Sequence, residues 1–202
     1  LDMDIKIPYT PRKHQSYLHQ QIDKHRWSVL VCHRRFGKTV CMINHLIKSA
    51  LMCKLKNPRF AYIAPTFKQA KSIAWDYMNK FTDKIPYIKF NETVLRVDVR
   101  NGARITLLGA ENSDGLRGIY LDGCVIDEYA NVHSKLFPEI IRPALSDRKG
   151  YCVFIGTPAG MNNNFYELYQ HAQGAEDWFN YKAKASDTKI VDEEELVKAK
   201  EV

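Results

Sequence analysis

Short apolar runs rich in Val, Ile and aromatic residues, at 27–32, 60–65, 122–126 and 151–156, alternate along this chain with longer segments of helical spacing at 38–52, 67–81, 134–145 and 163–173. That alternation predicts an α/β fold, with a mainly parallel central sheet flanked by crossover helices. One stretch departs from it. Leu95, Val97 and Val99 alternate with Arg96, Asp98 and Arg100, and Asn101-Gly102 then precedes Ile105 and Leu107. Asn-Gly supplies the positive φ angles of a two-residue hairpin turn, so a β-hairpin is expected near 93–109, inserted before the next core strand.

With 202 residues, 45% of them hydrophobic, the chain has the material for one substantial core. A net charge of +7 suits a polyanionic partner, although the basic residues are spread out and form no dense block. No apolar run reaches the roughly 18 residues needed to span a bilayer. Leu1-Asp2-Met3-Asp4 does not open a basic region followed by an apolar stretch, and the chain is read as intracellular, with no membrane partner. Cys32, Cys41, Cys53, Cys124 and Cys152 form no C-x-x-C pair and are expected to be buried, reduced thiols. After an extended stretch at 181–185, an acidic helical segment over 192–200 ends without a cap, so the sequence reads as a piece of a longer protein.

The chemistry concentrates where the first apolar run meets the first helix. There, His33-Arg34-Arg35-Phe36-Gly37-Lys38-Thr39 joins a strand to a helix N-terminus. Backbone N–H groups and the positive helix end at such a junction wrap phosphate oxygens. Lys38 adds a point charge and the Thr39 hydroxyl is suited to ligate Mg²⁺. The usual pattern begins with a glycine, and Cys32 stands in its place. Downstream, Cys124-Val125-Ile126 leads into Asp127-Glu128. An acid at the carboxyl end of a parallel strand faces the ligand crevice. Asp127 is expected to hold Mg²⁺ through its water shell and Glu128 to polarise the water that attacks ATP.

With these motifs placed, the sequence resembles the ATPase domain of the large terminase subunit of tailed bacteriophages, a P-loop NTPase of the RecA-like, ASCE type. An arginine-rich P-loop without a leading glycine is the most specific shared piece. Pro11-Arg12-Lys13-His14-Gln15 resembles the family's adenine-recognising segment, which implies that Gln15 reads the base. Ala64-Pro65-Thr66 resembles the segment after the second core strand, and Phe154-Ile155-Gly156-Thr157-Pro158 the coupling motif, which makes Thr157 a sensor of the γ-phosphate. Gly115-Leu116-Arg117-Gly118 lies where the family carries an arginine finger that acts in trans. One of Arg34 and Arg35 is expected at the γ-phosphate, and Phe36 and Gly37 complete the nucleotide-binding set.

The resemblance implies ATP and Mg²⁺ as cofactors, double-stranded DNA as substrate, a pentameric ring on a portal protein, a small terminase subunit as partner, and action in the host cell cytoplasm. It divides the chain into an ATPase core over 1–176 and, over 177–202, the start of a lid or linker leading toward a nuclease domain. No DNA cleavage is expected of these residues, because Asp192, Glu193, Glu194 and Glu195 read as a solvated helix face. Two other readings stay open: a helicase-like or DNA-remodelling ATPase, and a nucleotide-gated assembly module without turnover. Glu128 argues against the last, since a switch needs no residue to activate water.

Overall fold

The computed structural model describes residues 5–188; the acidic segment expected over 192–200 lies outside them. Eight strands form one sheet: β1 (Trp27–Cys32), β2 (Arg59–Ala64), β3 (Lys89–Asn91), β4 (Arg96–Asp98), β5 (Arg104–Gly109), β6 (Gly123–Ile126), β7 (Tyr151–Gly156) and β8 (Trp178–Ala183), in the order β3-β4-β5-β2-β6-β7-β1-β8. The strands from β5 to β8 run parallel, and β3 and β4 continue the sheet antiparallel.

β1 and β6 are buried at every position, and β2 and β7 at all but the first, which explains their unbroken apolar character. One face of the sheet is covered by α1 (Lys13–Ile22), α2 (Lys38–Met52) and a longer helical segment. That segment comprises α3 (Phe67–Ala70), a π-helical turn (Lys71–Trp75) and α4 (Asp76–Thr82). It starts sharply because the Thr66 hydroxyl accepts from the Gln69 N–H (3.1 Å). The other face is covered by a π-helical turn (Phe137–Ile141), α5 (Arg142–Ser146) and α6 (Asn164–Ala172). Asn163 caps α6 by accepting from the Phe165 and Tyr166 N–H groups, each at 3.0 Å.

The hairpin forms with a different turn. Its last ladder pair is Asp98 with Arg104, and within the loop the Gly102 N–H donates to the Val99 carbonyl (2.9 Å). Gly102 alone of the Asn-Gly pair takes a positive φ, +85°. Asn101 is spent elsewhere: its side-chain NH₂ donates to the Ala50 carbonyl in the last turn of α2 (2.9 Å), where a backbone acceptor needs a partner. The second arm of the hairpin is also a core strand, because β5 pairs in parallel with β2 from Arg59–Arg104 to Ala64–Gly109. Residues 178–183, read from sequence as part of the lid segment, extend the sheet as β8 beside β1.

α1 and α2 meet through a histidine pair, His45 buried and His19 half-buried. His19 and His45 stack with ring centroids 5.2 Å apart and their Nδ1 atoms at 2.9 Å, and His19 Nε2 lies 3.0 Å from the Tyr9 hydroxyl. Asp23, Lys48, Cys41 and the Tyr151 ring surround the pair. Burial, then the Lys48 charge, holds His19 down at about 4; burial, then its neighbour His19, depresses His45 as well. Both rings are therefore neutral in the fold and protonate more readily once unfolded, near pH 6.5. Stability is expected to be full above pH 6.5 and to fall, by on the order of a few kcal/mol, as pH drops toward 4. Urea denaturation between pH 7.5 and 4.5 checks this, and His45→Leu should flatten the decline.

Candidate functional site

The ends of β1, β7, β6 and β2 are aligned by the parallel register, with Val31 opposite Gly156, Phe154 opposite Ile126, and Ile126 opposite Ile63. The P-loop, Thr157 and Asp127 therefore emerge side by side at the carboxyl edge of the sheet, where open α/β sheets bind ligands.

Cys32 is the last residue of β1, fully buried and outside the left-handed region, so the glycine usual at this position is not needed for backbone freedom. Burial pushes its thiol up to about 12, which leaves it inert. The left-handed turns fall instead at Arg35 (φ +66°) and Gly37 (φ +83°). A Cβ on Gly37 would lie 2.5 Å from Arg12 Nη2 and 2.9 Å from Gln15 Nε2. Those two groups brace the loop, Arg12 donating to the Phe36 carbonyl (2.8 Å) and Gln15 to the Gly37 carbonyl (3.3 Å). The Phe36 ring is buried against His33, His14 and Tyr181, so it anchors the loop instead of facing a ligand. His33 adds a tie to the sheet edge, its N–H donating to the Ala183 carbonyl (3.2 Å) and its Nε2 lying 2.8 Å from the Thr188 hydroxyl.

Asp127 is 3% exposed. It accepts from the Tyr62 hydroxyl and, on its other oxygen, from the Glu128 N–H (2.8 Å). Burial raises its carboxyl above the usual carboxylate range, against which the Tyr62 hydrogen bond, the Glu128 N–H and the Lys38 charge act. Burial, then the Asp127 charge, raises Tyr62 well above 10, and the nearby Thr39 hydroxyl acts in the opposite direction. Tyr62 and Asp127 thus form a hydrogen-bonded pair, with Thr39 and Lys38 near enough to influence it. Glu128 sits in the left-handed region (φ +45°), half-buried, and its Oε2 accepts from the Thr157 hydroxyl (3.4 Å).

A cleft of about 550 Å³ opens over the P-loop, lined on one side by Arg35, Gly37, Lys38, Thr39 and Val40, and on the other by Ser72, Ile73, Asp76 and Tyr77. Arg35 borders it; Arg34 is exposed and is not among its lining residues. Gln15 is buried, with its carbonyl accepting from the Arg12 N–H (2.9 Å) as well, so both ends of its amide are engaged. Arg117 is not brought to this cleft: it is exposed on a separate loop and pairs with Asp114 (3.3 Å).

Tyr62 and Arg12 carry roles that the motifs do not announce. A tyrosine in the buried part of an otherwise apolar run, 60–64, was the available signal for Tyr62, since a buried phenol needs a partner for its hydroxyl. Arg12 lies within the Pro11–Gln15 segment, but its bracing role was not visible there because its partner, the Phe36 carbonyl, lies 24 residues on.

A parallel sheet of this order with a strand–loop–helix phosphate cradle and an acidic strand end defines a P-loop nucleotide-binding fold. A family model described as "Terminase large subunit, T4likevirus-type, N-terminal" matches residues 31–200, and the chain belongs to that family. Over 60 residues it is 42% identical to the large terminase subunit of Thermus phage G20c, a match covering 30% of this chain and 12% of that relative. The large terminase ATPase domain of Thermus phage P74-26 superposes with a TM-score of 0.75 at 22% identity, covering 90% of this chain and 84% of that one. A large terminase from a thermophilic bacteriophage, solved in complex with ADP, gives 0.76 at 15% identity, covering 93% of this chain and 48% of that one.

Gly37→Ala is expected to weaken tripolyphosphate and nucleotide binding more than tenfold while the fold persists, because the new methyl displaces both braces and strains a left-handed position. Calorimetric titration alongside circular dichroism checks it.

Proposed function

We propose that this chain hydrolyses ATP to drive double-stranded DNA into a viral procapsid, as the motor domain of a large terminase subunit. The observation that carries the reading is the convergence of Lys38, Thr39, Asp127, Glu128 and Thr157 at one edge of the sheet. P-loop N–H groups and Lys38 would hold the β- and γ-phosphates. Thr39 and Asp127 fit a Mg²⁺ ion, since a buried carboxylate beside a hydroxyl is the hard-oxygen pairing that this ion takes; when bound, the ion neutralises charge on the phosphate oxygens. Glu128 would take the proton from the attacking water, with Thr157 holding its carboxylate in place. Neighbours that carry ADP or ATP-γ-S in the same fold support nucleotide binding.

The finer parts of the reading are proposals that the family resemblance suggests. They are a pentameric ring on a portal, engagement of a small subunit, action in the host cytoplasm, and a segment beyond 177 that leads toward a nuclease domain. The exposed position of Arg117, away from its own chain's cleft, supports a role for it at a neighbour's site.

Steady-state ATP hydrolysis at rising protein concentration tests the proposal. Glu128→Gln is expected to bind ATP but turn it over at least about 100-fold more slowly. Specific activity should climb with concentration, and Arg117→Ala should remove the climb. Wild-type turnover in Glu128→Gln would move the base elsewhere, and a flat concentration profile would argue against the trans finger.

Tyr62→Phe removes a hydrogen bond that holds the Asp127 carboxyl down. Its pKa then rises and the ionised fraction at a given pH falls. The acid limb of the kcat/KM profile should move to higher pH, which a pH–rate series reads directly.

A further inference from the structure

Glu128 opens a short turn that runs to Val132. The Asn131 N–H donates to the Glu128 carbonyl (2.8 Å) and the Val132 N–H to the Tyr129 carbonyl (3.1 Å), so the turn moves as one piece with the Glu128 backbone. Glu128 itself lies in the left-handed region, at φ +45°. A side chain with a Cβ does not hold that conformation by its own preference, and neighbours must impose it.

Two contacts reach the turn from the start of α6. The Phe165 ring meets the buried Tyr129 ring edge-on with centroids 6.2 Å apart, and Tyr129 in turn meets Phe154 of β7 at 4.9 Å. This is core packing, which buried aromatic surface explains. The second contact is of another kind: the side-chain NH₂ of Asn164 donates to the Val132 carbonyl (2.9 Å), at the far end of the turn. Asn164 is the first residue of α6, and capping that helix does not fall to it, because Asn163 already accepts from the Phe165 and Tyr166 N–H groups. Its amide instead crosses to a separate loop and fixes where the turn ends. Glu128 is thus held at both ends by the segment that follows β7, at its carboxylate by the Thr157 hydroxyl and through its turn by Asn164. A general base must stand within hydrogen-bond reach of the water that it activates, and small displacements of such a group cost rate more than they cost binding.

We propose that Asn164 is a positioning residue for Glu128: its hydrogen bond to the Val132 carbonyl sets the turn that carries the Glu128 carboxylate to the attacking water. The inference rests on the reading of Glu128 as the base and adds to it a residue that touches neither nucleotide nor water.

Single-turnover ATP hydrolysis and ATP-γ-S binding test it in the wild-type chain, Asn164→Ala and Asn164→Asp, with each substitution made again in a Glu128→Gln background. Alanine favours a helix and an acid suits the first turn of one, so both variants should keep the fold, which thermal melting verifies. Both should slow hydrolysis about five- to tenfold, the scale of one hydrogen bond, and leave ATP-γ-S affinity within about twofold. Aspartate is nearly isosteric with asparagine but cannot donate to a carbonyl when ionised. A merely structural role at the start of α6 would therefore leave Asn164→Asp at the wild-type rate. In the Glu128→Gln background, where the base is gone, neither substitution should change the residual rate by more than about twofold. Equal slowing in both backgrounds, an undiminished rate in Asn164→Asp, or a loss of ATP-γ-S affinity that matches the loss of rate would overturn the inference and leave Glu128 as the base. A wild-type rate in Glu128→Gln alone would remove the reading of Glu128, and the inference with it.

Discussion

The parallel register of β1 with β7, β7 with β6 and β6 with β2 fixes where every group of the candidate site stands. Side chains alternate across a sheet, so a slip of one residue would send Asp127 and Tyr62 to opposite faces and separate them. The register is held because these strands are buried on both sides and their neighbours fill both core layers. Function here depends on packing well away from the cleft: the apolar rows under α2 and α5 determine which residue of each strand reaches the edge.

The site itself is held under backbone strain. Arg35 and Glu128 occupy left-handed conformations that side chains with a Cβ avoid, and Gly37 needs its missing Cβ to admit Arg12 and Gln15. Such conformations cost about 1–3 kcal/mol each where no glycine is present, and they persist because neighbours over-determine them. Arg12 and Gln15 secure the P-loop from α1, Phe36 and His33 from β8 and the turn beyond it, and Thr157 and Asp127 secure Glu128. The stacked His19 and His45 join α1 to α2, and so connect the bracing helix to the helix that begins at the P-loop.

Local chemistry made much of this legible in the sequence. The α2 helix and the β1 and β7 strands run where apolar spacing and the Gly-Lys-Thr junction put them, because pattern and tertiary burial agree there. The resemblance to large terminase subunits rested on the arginine-rich loop and the Asp-Glu strand end, and the family match bears it out. Long-range competition was not legible. Asn101 has the sequence of a two-residue turn, but its amide is drawn to the end of α2. β8 looked like the opening of a linker because its pairing partner, β1, lies about 150 residues earlier in the chain. The Tyr62–Asp127 bond joins residues 65 apart, and the wall formed by Ser72, Ile73, Asp76 and Tyr77 emerges only when α4 is seen to face the P-loop.

Manganese binding tests the central claim most directly, because the ion substitutes for magnesium and its spin resonance reports coordination. The account predicts that a chain saturated with ATP-γ-S binds a single manganese ion, and that Asp127→Asn and Thr39→Ala each weaken it at least tenfold with the fold intact. Manganese held with unchanged affinity in both variants would contradict the claim that the aligned strand ends build one nucleotide–metal site.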